Sequence, residues 1–325
     1  MTLNAANRAA NSGSTLVDTL AKCIAGPIRR TMALILTLLA VCCLCNSMPA
    51  YAANDAASLR DKYQSLTQQL AHNAFGRPLY LNSSQSSSRL QGDIYAVVNY
   101  PFATVNGALN DPVHGPANWC DVLILHLNTK YCHAATNGDG SILSVNLGKK
   151  VEEELSSTYR LQFNYRVVAS SPGYFQVQLN ADSGPMGTKD YNIVVEAVDI
   201  GENRTFLHLT YAYGFGMVGR AAMTTYLNTI GSDKVGFTPT ADSTAAKPDY
   251  VGGVRGLVER NTMRYYLAID AYLGSLSSPP DKRLEQRLTT WFNATEQYPQ
   301  QLHEVDRQDY MKMKDDEYKR QQTAQ

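Results

Sequence analysis

Residues 159–181 carry the pattern that restricts the fold most. Leu161, Phe163, Tyr165 and Val167 alternate with Arg160, Gln162, Asn164 and Arg166. After the turn Ser170-Ser171-Pro172-Gly173, Phe175, Val177, Leu179 and Ala181 alternate with Gln176, Gln178 and Asn180. Period two puts the apolar side chains of each run on one face of a strand. Two such runs joined by a Pro-Gly turn make an antiparallel hairpin with one wet face. Gly184-Pro185-Met186-Gly187 makes another turn. Residues 191–198 and 205–213 add two more strands, joined at Gly201-Glu202-Asn203.

Helical spacing frames this sheet. Leu59, Tyr63, Leu66 and Leu70 predict a first helix over 55–73. The Ser-rich stretch 83–88 reads as a loop or hairpin tip, and 93–100 as a strand with Ile94, Ala96 and Val98 on one face. Pro101 suits the first turn of a helix, where its missing N–H is not needed; Phe102, Val105, Ala108 and Leu109 give that helix its apolar face. The apolar run 119–127 is too short to assign to helix or strand, and β pattern resumes at Ile142. Past Gly216 the period is helical again over 217–227, then 232–248 is largely loop. The longest predicted helix covers 251–276, striped by Val254, Val258, Asn261, Tyr265, Ala268 and Tyr272. Its second half is apolar nearly all round, which calls for cover on more than one side. Ser277-Ser278-Pro279-Pro280 ends it, and a further helix with Leu284, Leu288, Trp291 and Tyr298 could supply that cover. The tail 306–325 is charged in both signs and is expected to be a solvated, fraying helix.

The N-terminus reads as an export signal. Arg29 and Arg30 precede an apolar stretch from Met32 to Leu44, and Ala50-Tyr51-Ala52 follows with the small-x-small spacing of a cleavage site. Cleavage after Ala52 predicts a periplasmic or secreted protein with no stable membrane span. It removes Cys23, Cys42, Cys43 and Cys45 and leaves Cys120 and Cys132, a pair expected to form a disulfide in an oxidising compartment. His126 and His133 lie near them, but the spacing of zinc ligands is lacking, so no metal and no cofactor is expected. Of the 29 bases and 29 acids, residues 1–52 hold four bases and one acid. The remainder is slightly acidic and has no basic excess for nucleic acid.

The order strand, helical segment, antiparallel strands, long C-terminal helix resembles the helix-grip fold of the START-like (SRPBCC) superfamily. The carrying residues are the junction Tyr95-Ala96-Val97-Val98-Asn99-Tyr100-Pro101-Phe102-Ala103-Thr104-Val105, the alternating hairpin and the helix from Val251. The chain also looks like a group of uncharacterised exported bacterial proteins in the runs 119–123 and 258–266. The resemblance implies an α+β fold, a curved antiparallel sheet wrapped on a long C-terminal helix, with additional N- and C-terminal helices. The expected divisions are 1–52 signal peptide, 53–92 N-terminal helix and lead-in, 93–276 helix-grip domain and 277–325 helical extension. It further implies a cavity between sheet and helix that takes an apolar or amphipathic molecule such as a lipid.

The residues expected to line that cavity are Phe163, Tyr165, Phe175, Val177, Tyr211 and Tyr265, with Asn261 and Arg264 as polar contacts. Arg255 and Glu259 are four apart and can pair. Arg260 and Arg264 are also four apart and repel, so they call for a carboxylate, with Glu196 and Asp190 as candidates, or for an anionic ligand. Gly214-Phe215-Gly216-Met217-Val218-Gly219 matches G-x-G-x-x-G by letters, but no βαβ unit surrounds it, and the glycines read as packing devices. His208 reads as a strand residue rather than a base. No acid–base pair is recognisable from spacing. Three function classes stay open here: a binding or carrier protein, a cyclase- or hydrolase-type enzyme using the same cavity, and a scaffold acting through its C-terminal helices. The sequence names no protein partner.

Overall fold

A computed structural model of the chain describes residues 50–137, 140–229, 231–244 and 248–323. The expected export signal lies outside the described residues except for its last three positions, as do Cys23, Cys42, Cys43 and Cys45. Helices α1 (Ala50–Ser65) and α2 (Thr67–Ala71) lead into the hairpin β1 (Leu79–Gln85) and β2 (Arg89–Val98). The Ser-rich stretch ends β1 and makes the hairpin tip, closed by Ser86 N–H on the carbonyl of Arg89 (2.9 Å). Pro101 precedes α3 (Phe102–Leu109), and its carbonyl accepts from Thr104 N–H (2.9 Å).

The ambiguous run at Trp119 belongs to α4 (Gly115–Leu123), followed by turns. β3 (Thr129–Asn137) then pairs with β4 (Gly140–Leu147), one strand earlier than the β pattern predicts. The reason is Lys130, a fully buried ammonium in a strand whose alternation it masks. β5 (Tyr159–Ser171), β6 (Tyr174–Ser183), β7 (Thr188–Asp199) and β8 (Thr205–Phe215) complete a meander. The eight strands lie in the order β1-β2-β8-β7-β6-β5-β4-β3, with every neighbouring pair antiparallel.

After α5 (Met217–Asn228) and a long loop, α6 (Gly253–Ser275) packs on the sheet face that carries Ile94, Phe175, Val177, Ile193, Val195 and Leu209. At Gly92 of β2 the helix comes so close that any Cβ would run into the Thr262 side chain. The opposite face is covered by α1 and α2: Leu59, Leu66 and Leu70 bury against Val97, Tyr174, Val198 and Phe206. Fully burying each such side chain contributes ~1.5–3 kcal/mol. The chain therefore has the α+β helix-grip fold, a curved sheet around one long helix.

α7 (Arg283–Thr295) gives α6 its second cover: Trp291 is buried and donates from Nε1 to the carbonyl of Arg264 (3.1 Å). A short turn of helix, α8 (Pro299–Leu302), leads to α9 (Arg307–Thr323). The tail is not a solvated helix. Tyr310, Met313, Lys314 and Glu317 of α9 are buried, with Trp291 stacked on Tyr310 at 4.9 Å. Its charges hide the contact face, because two of the buried residues are themselves charged. Cys120 and Cys132 form a disulfide that ties α4 to β3 (Cα–Cα 5.2 Å).

Candidate functional site

Between the sheet and α6 lies a cavity of about 510 Å³. Phe163 of β5, Tyr191 of β7, Tyr211 and Tyr213 of β8, Val145 of β4 and Tyr265 of α6 supply its apolar wall. These positions recur with period two because the concave face takes every second residue of each strand. Of its lining, Lys149, Ser157, Tyr159 and Met186 are exposed where the cavity opens, and Leu123, His126, Thr129 and Val145 are buried and close it from within. Met217 and Val218, close to Met186 across Gly187, leave further apolar side chains exposed near the opening.

The closed end is polar. The backbone N–H of Asn128 donates to His126 Nδ1 (3.2 Å). In the neutral ring the proton therefore sits on Nε2. That Nε2 is buried and has no hydrogen-bond partner among the described residues, and the same is true of Thr129 Oγ1. Burial, then the charges of Arg264, Lys314 and Lys150, hold the His126 imidazole well below its usual range, with the Asn261 side chain offsetting this in part. The ring stacks on Tyr265 at 4.9 Å. Lys314 of α9 donates to the carbonyls of both His126 (2.7 Å) and Thr129 (2.8 Å). Lys314 and Lys130 share the buried carboxylate of Glu317 (2.7 and 2.9 Å).

Behind this wall stand Arg260 and Arg264 of α6. Arg264 pairs with Glu304 (2.7 Å), which also holds Lys150 (2.6 Å), and Arg264 Nη1 donates to Asn261 Oδ1 (3.4 Å). Arg260 donates from Nη1 to the carbonyl of Val235 (3.2 Å). Its Nε and Nη2, and Nε of Arg264, have no partner among the described residues. Burial, then the neighbouring Arg264, lowers the Arg260 guanidinium from its usual value, while Tyr226 and Glu304 work against that. The carboxylate these arginines require is Glu304. Glu196 faces the other side of the sheet, and Asp190 is exposed beside Lys189. Arg255 and Glu259 do approach (3.8 Å), but the buried Glu259 carboxylate mainly accepts from Ser83, Thr238 and the backbone N–H of Phe237.

Of the eight expected contact residues, the fold brings Phe163, Tyr211, Tyr265 and Asn261 together in the cavity wall. Tyr165 turns to the α3–α4 corner and donates to the carbonyl of Leu109 (3.1 Å). Phe175 packs on Phe102 (5.9 Å) and Val177 is wholly buried in the core. Arg264 stands behind the wall through Asn261. The residues that spacing did not point to are His126, Thr129 and Lys314. No local pattern marks them, since a turn and a distant helix bring them together.

No protein-family model matches the sequence, and no curated protein sequence is similar to it. Among solved structures, an aromatase/cyclase, Zhui, from Streptomyces sp. R1128 is similar at 16% identity, over 57% of this chain and 92% of that one, with a TM-score of 0.35. Norcoclaurine synthase from Thalictrum flavum is similar at 13% identity, over 46% and 82%, with a TM-score of 0.31. Human StAR-related lipid transfer protein 5 is similar at 9% identity, over 55% and 90%, with a TM-score of 0.30. The helix-grip arrangement itself is read from the strand order and the seat of α6.

The outer face holds a second polar constellation. His208 lies between Glu196 (Nδ1–Oε1 2.8 Å) and Asp93 (Nε2–Oδ1 3.1 Å), with Tyr95 stacked on its ring at 4.0 Å. Thr210 and Gln91 donate to Asp93, and Tyr174 donates to Glu196 (2.9 Å). Burial opposes a charge on His208, but the bonds from Asp93 and Glu196 overcome it and raise the imidazole above its usual range. Burial likewise opposes the Asp93 charge, and the bonds from His208, Thr210 and Gln91 hold that carboxyl below its usual range. The arrangement is a hydrogen-bonded strut across three strands that favours the charged form of His208. The six-residue Gly-rich match at 214–219 has a packing role: at Gly219 a Cβ would sit 3.1 Å from Phe215 Cβ and 3.3 Å from the Gly187 carbonyl.

Proposed function

We propose that the protein is an exported binding or carrier protein that holds an apolar or amphipathic small molecule, such as a lipid, between the sheet and α6. The observation that carries this reading is the cavity of about 510 Å³ walled by Phe163, Tyr191, Tyr211, Tyr213 and Tyr265. Its volume lies in the range of small-molecule sites, roughly 300–1,000 Å³, and so does its mix of aromatic wall and few polar groups. The wall favours holding a ligand over transforming it. His126 is held well below its usual range with no carboxylate bonded to it among the described residues, and burial pushes the phenols of Tyr211, Tyr213 and Tyr265 above their usual range and that of Tyr191 up to about 12. None of these groups is poised to move a proton near neutral pH. Export is supported by the charged, apolar and small-residue order of residues 29–52, and by the Cys120–Cys132 bond, since disulfides persist in oxidising compartments.

The test is displacement of a fluorescent fatty acid from delipidated protein, beside a Met223→Trp variant. Met223 lines the cavity near the Tyr213 hydroxyl. The larger ring should weaken uptake about ten-fold or more, a loss of ~1.4 kcal/mol, while the melting transition stays cooperative. Equal uptake by both proteins, or none by either across several lipid classes, would sink the reading.

A further inference from the structure

The closed end of the cavity carries more than an apolar pocket requires. His126 Nε2–H and Thr129 O–H are both buried, both line the cavity, and neither has a partner among the described residues. Buried donors without acceptors are rare and costly in folded proteins. The tautomer is set by the Asn128 N–H on Nδ1, so Nε2 can only donate. Asn261 adds a third polar group at the wall: its Oδ1 accepts from Arg264, and its side chain lies beside the His126 imidazole.

The surrounding charges have one dominant sign. Arg260, Arg264, Lys150, Lys130 and Lys314 gather behind the wall, and the carboxylates bonded to them among the described residues are Glu304 and Glu317. At the open side Lys149 and Glu153 face each other at 3.8 Å and balance. A cationic head at the closed end would meet donors and like charge. A neutral hydroxyl can accept from these donors but carries no net charge to gain from the field. An anion accepts from several donors and lies in a favourable potential, at short range and away from water where such interactions are strongest.

We infer that the closed end is an anion subsite and that the ligand is an amphipathic carboxylate, its head on His126 Nε2 and Thr129 Oγ1 and its apolar body against Phe163, Tyr211 and Tyr265. This rests on the ligand-cavity reading above and adds the polarity of the head group. Asn261 lies beside these two donors, and Lys314 positions them by holding the His126 and Thr129 carbonyls.

The experiment is calorimetric titration of the delipidated protein with dodecanoate, dodecanol and dodecylamine, which share one apolar chain. Dodecanoate should bind about ten-fold or more tighter than dodecanol, a difference of ~1.4 kcal/mol, with dodecylamine weakest. His126→Phe keeps a ring against Tyr265 and removes the donor, and it should erase the preference for the carboxylate. His126→Gln, which restores an N–H donor, should recover part of it. Thr129→Val is the second variant should the His126 replacements fold poorly, and it should reduce the same preference. Equal binding of dodecanoate and dodecanol by the wild-type protein overturns the anion subsite and leaves the cavity reading standing. Binding of none of the three overturns the cavity reading and the subsite with it. A preference unchanged in both His126→Phe and Thr129→Val overturns the assignment of these residues.

Discussion

Lys314 Nζ lies 2.7 Å from the carbonyl oxygen of His126, so a residue of the last helix fixes a turn that closes the ligand cavity. The same ammonium holds Thr129 and pairs with Glu317, wholly out of solvent. Burial pushes Lys314 down to about 8, and the Glu317 carboxylate works against that while Lys130 adds to it.

Lys314→Met removes three bonds at once and leaves two carbonyls without their donor. Breaking a buried charge pair typically costs ~3–5 kcal/mol, and because Lys130 still neutralises Glu317 the lower end is expected, about 3 kcal/mol. Urea denaturation of both proteins measures it. A loss under about 1 kcal/mol, the range of surface substitutions, would mean that α9 does not seat as described.

The two described histidines with shifted imidazoles act in opposite directions on stability. His208 is raised in the folded protein, so its contribution is complete below the unfolded value near pH 6.5 and is lost as pH rises through the folded value. His126 is depressed, so its contribution is present above about pH 6.5 and declines as pH falls below it. In His208→Gln the decline of stability on the alkaline side of pH 6.5 should flatten, while the acid-side loss persists. Denaturation midpoints across this range decide the matter, and an unchanged alkaline-side slope would remove the charged strut from the account.

Gly92 is a point where α6 comes very close to the sheet. Gly92→Val drives a branched side chain into Thr262, and overpacking of this kind costs roughly 1–3 kcal/mol. The expected result is a loss near the upper end with a weakened cavity affinity, because α6 carries Tyr265 and Asn261. A variant as stable as the parent would place the helix farther from β2.

The Cys120–Cys132 bond joins α4 to β3 on either side of the turn that bears His126. Closing so short a loop is worth ~3 kcal/mol in the chain-entropy account. Reduction should lower the denaturation midpoint accordingly and loosen the same end of the cavity. Two free thiols in the folded, unreduced protein would show that the bond is absent.

Much of the scaffold is legible without the structure, for a local reason. Period two in residues 161–181 names the strands and the residues that share a face, and the stripe from Val254 to Tyr272 names the long helix; both follow from backbone geometry over a few turns. The all-round apolar half of that helix also announces a second cover, which Trp291 supplies. Face sharing says less about which face positions meet a void: Phe163 and Tyr211 do, while Phe175 and Val177 on the same face are packed solid.

What the sequence by itself determined is thus the strand and helix pattern, the hairpin and the aromatic supply of the inner face. Tertiary structure alone decided the polar ends. Glu196 faces His208 only through the β7–β8 register, and Asp93 reaches it across β2. Glu304 finds Arg264, and Lys314 finds His126, across 40 and 188 positions of chain. Charged residues follow no apolar period, so their burial becomes visible only where distant elements close around them and replace water with fixed partners.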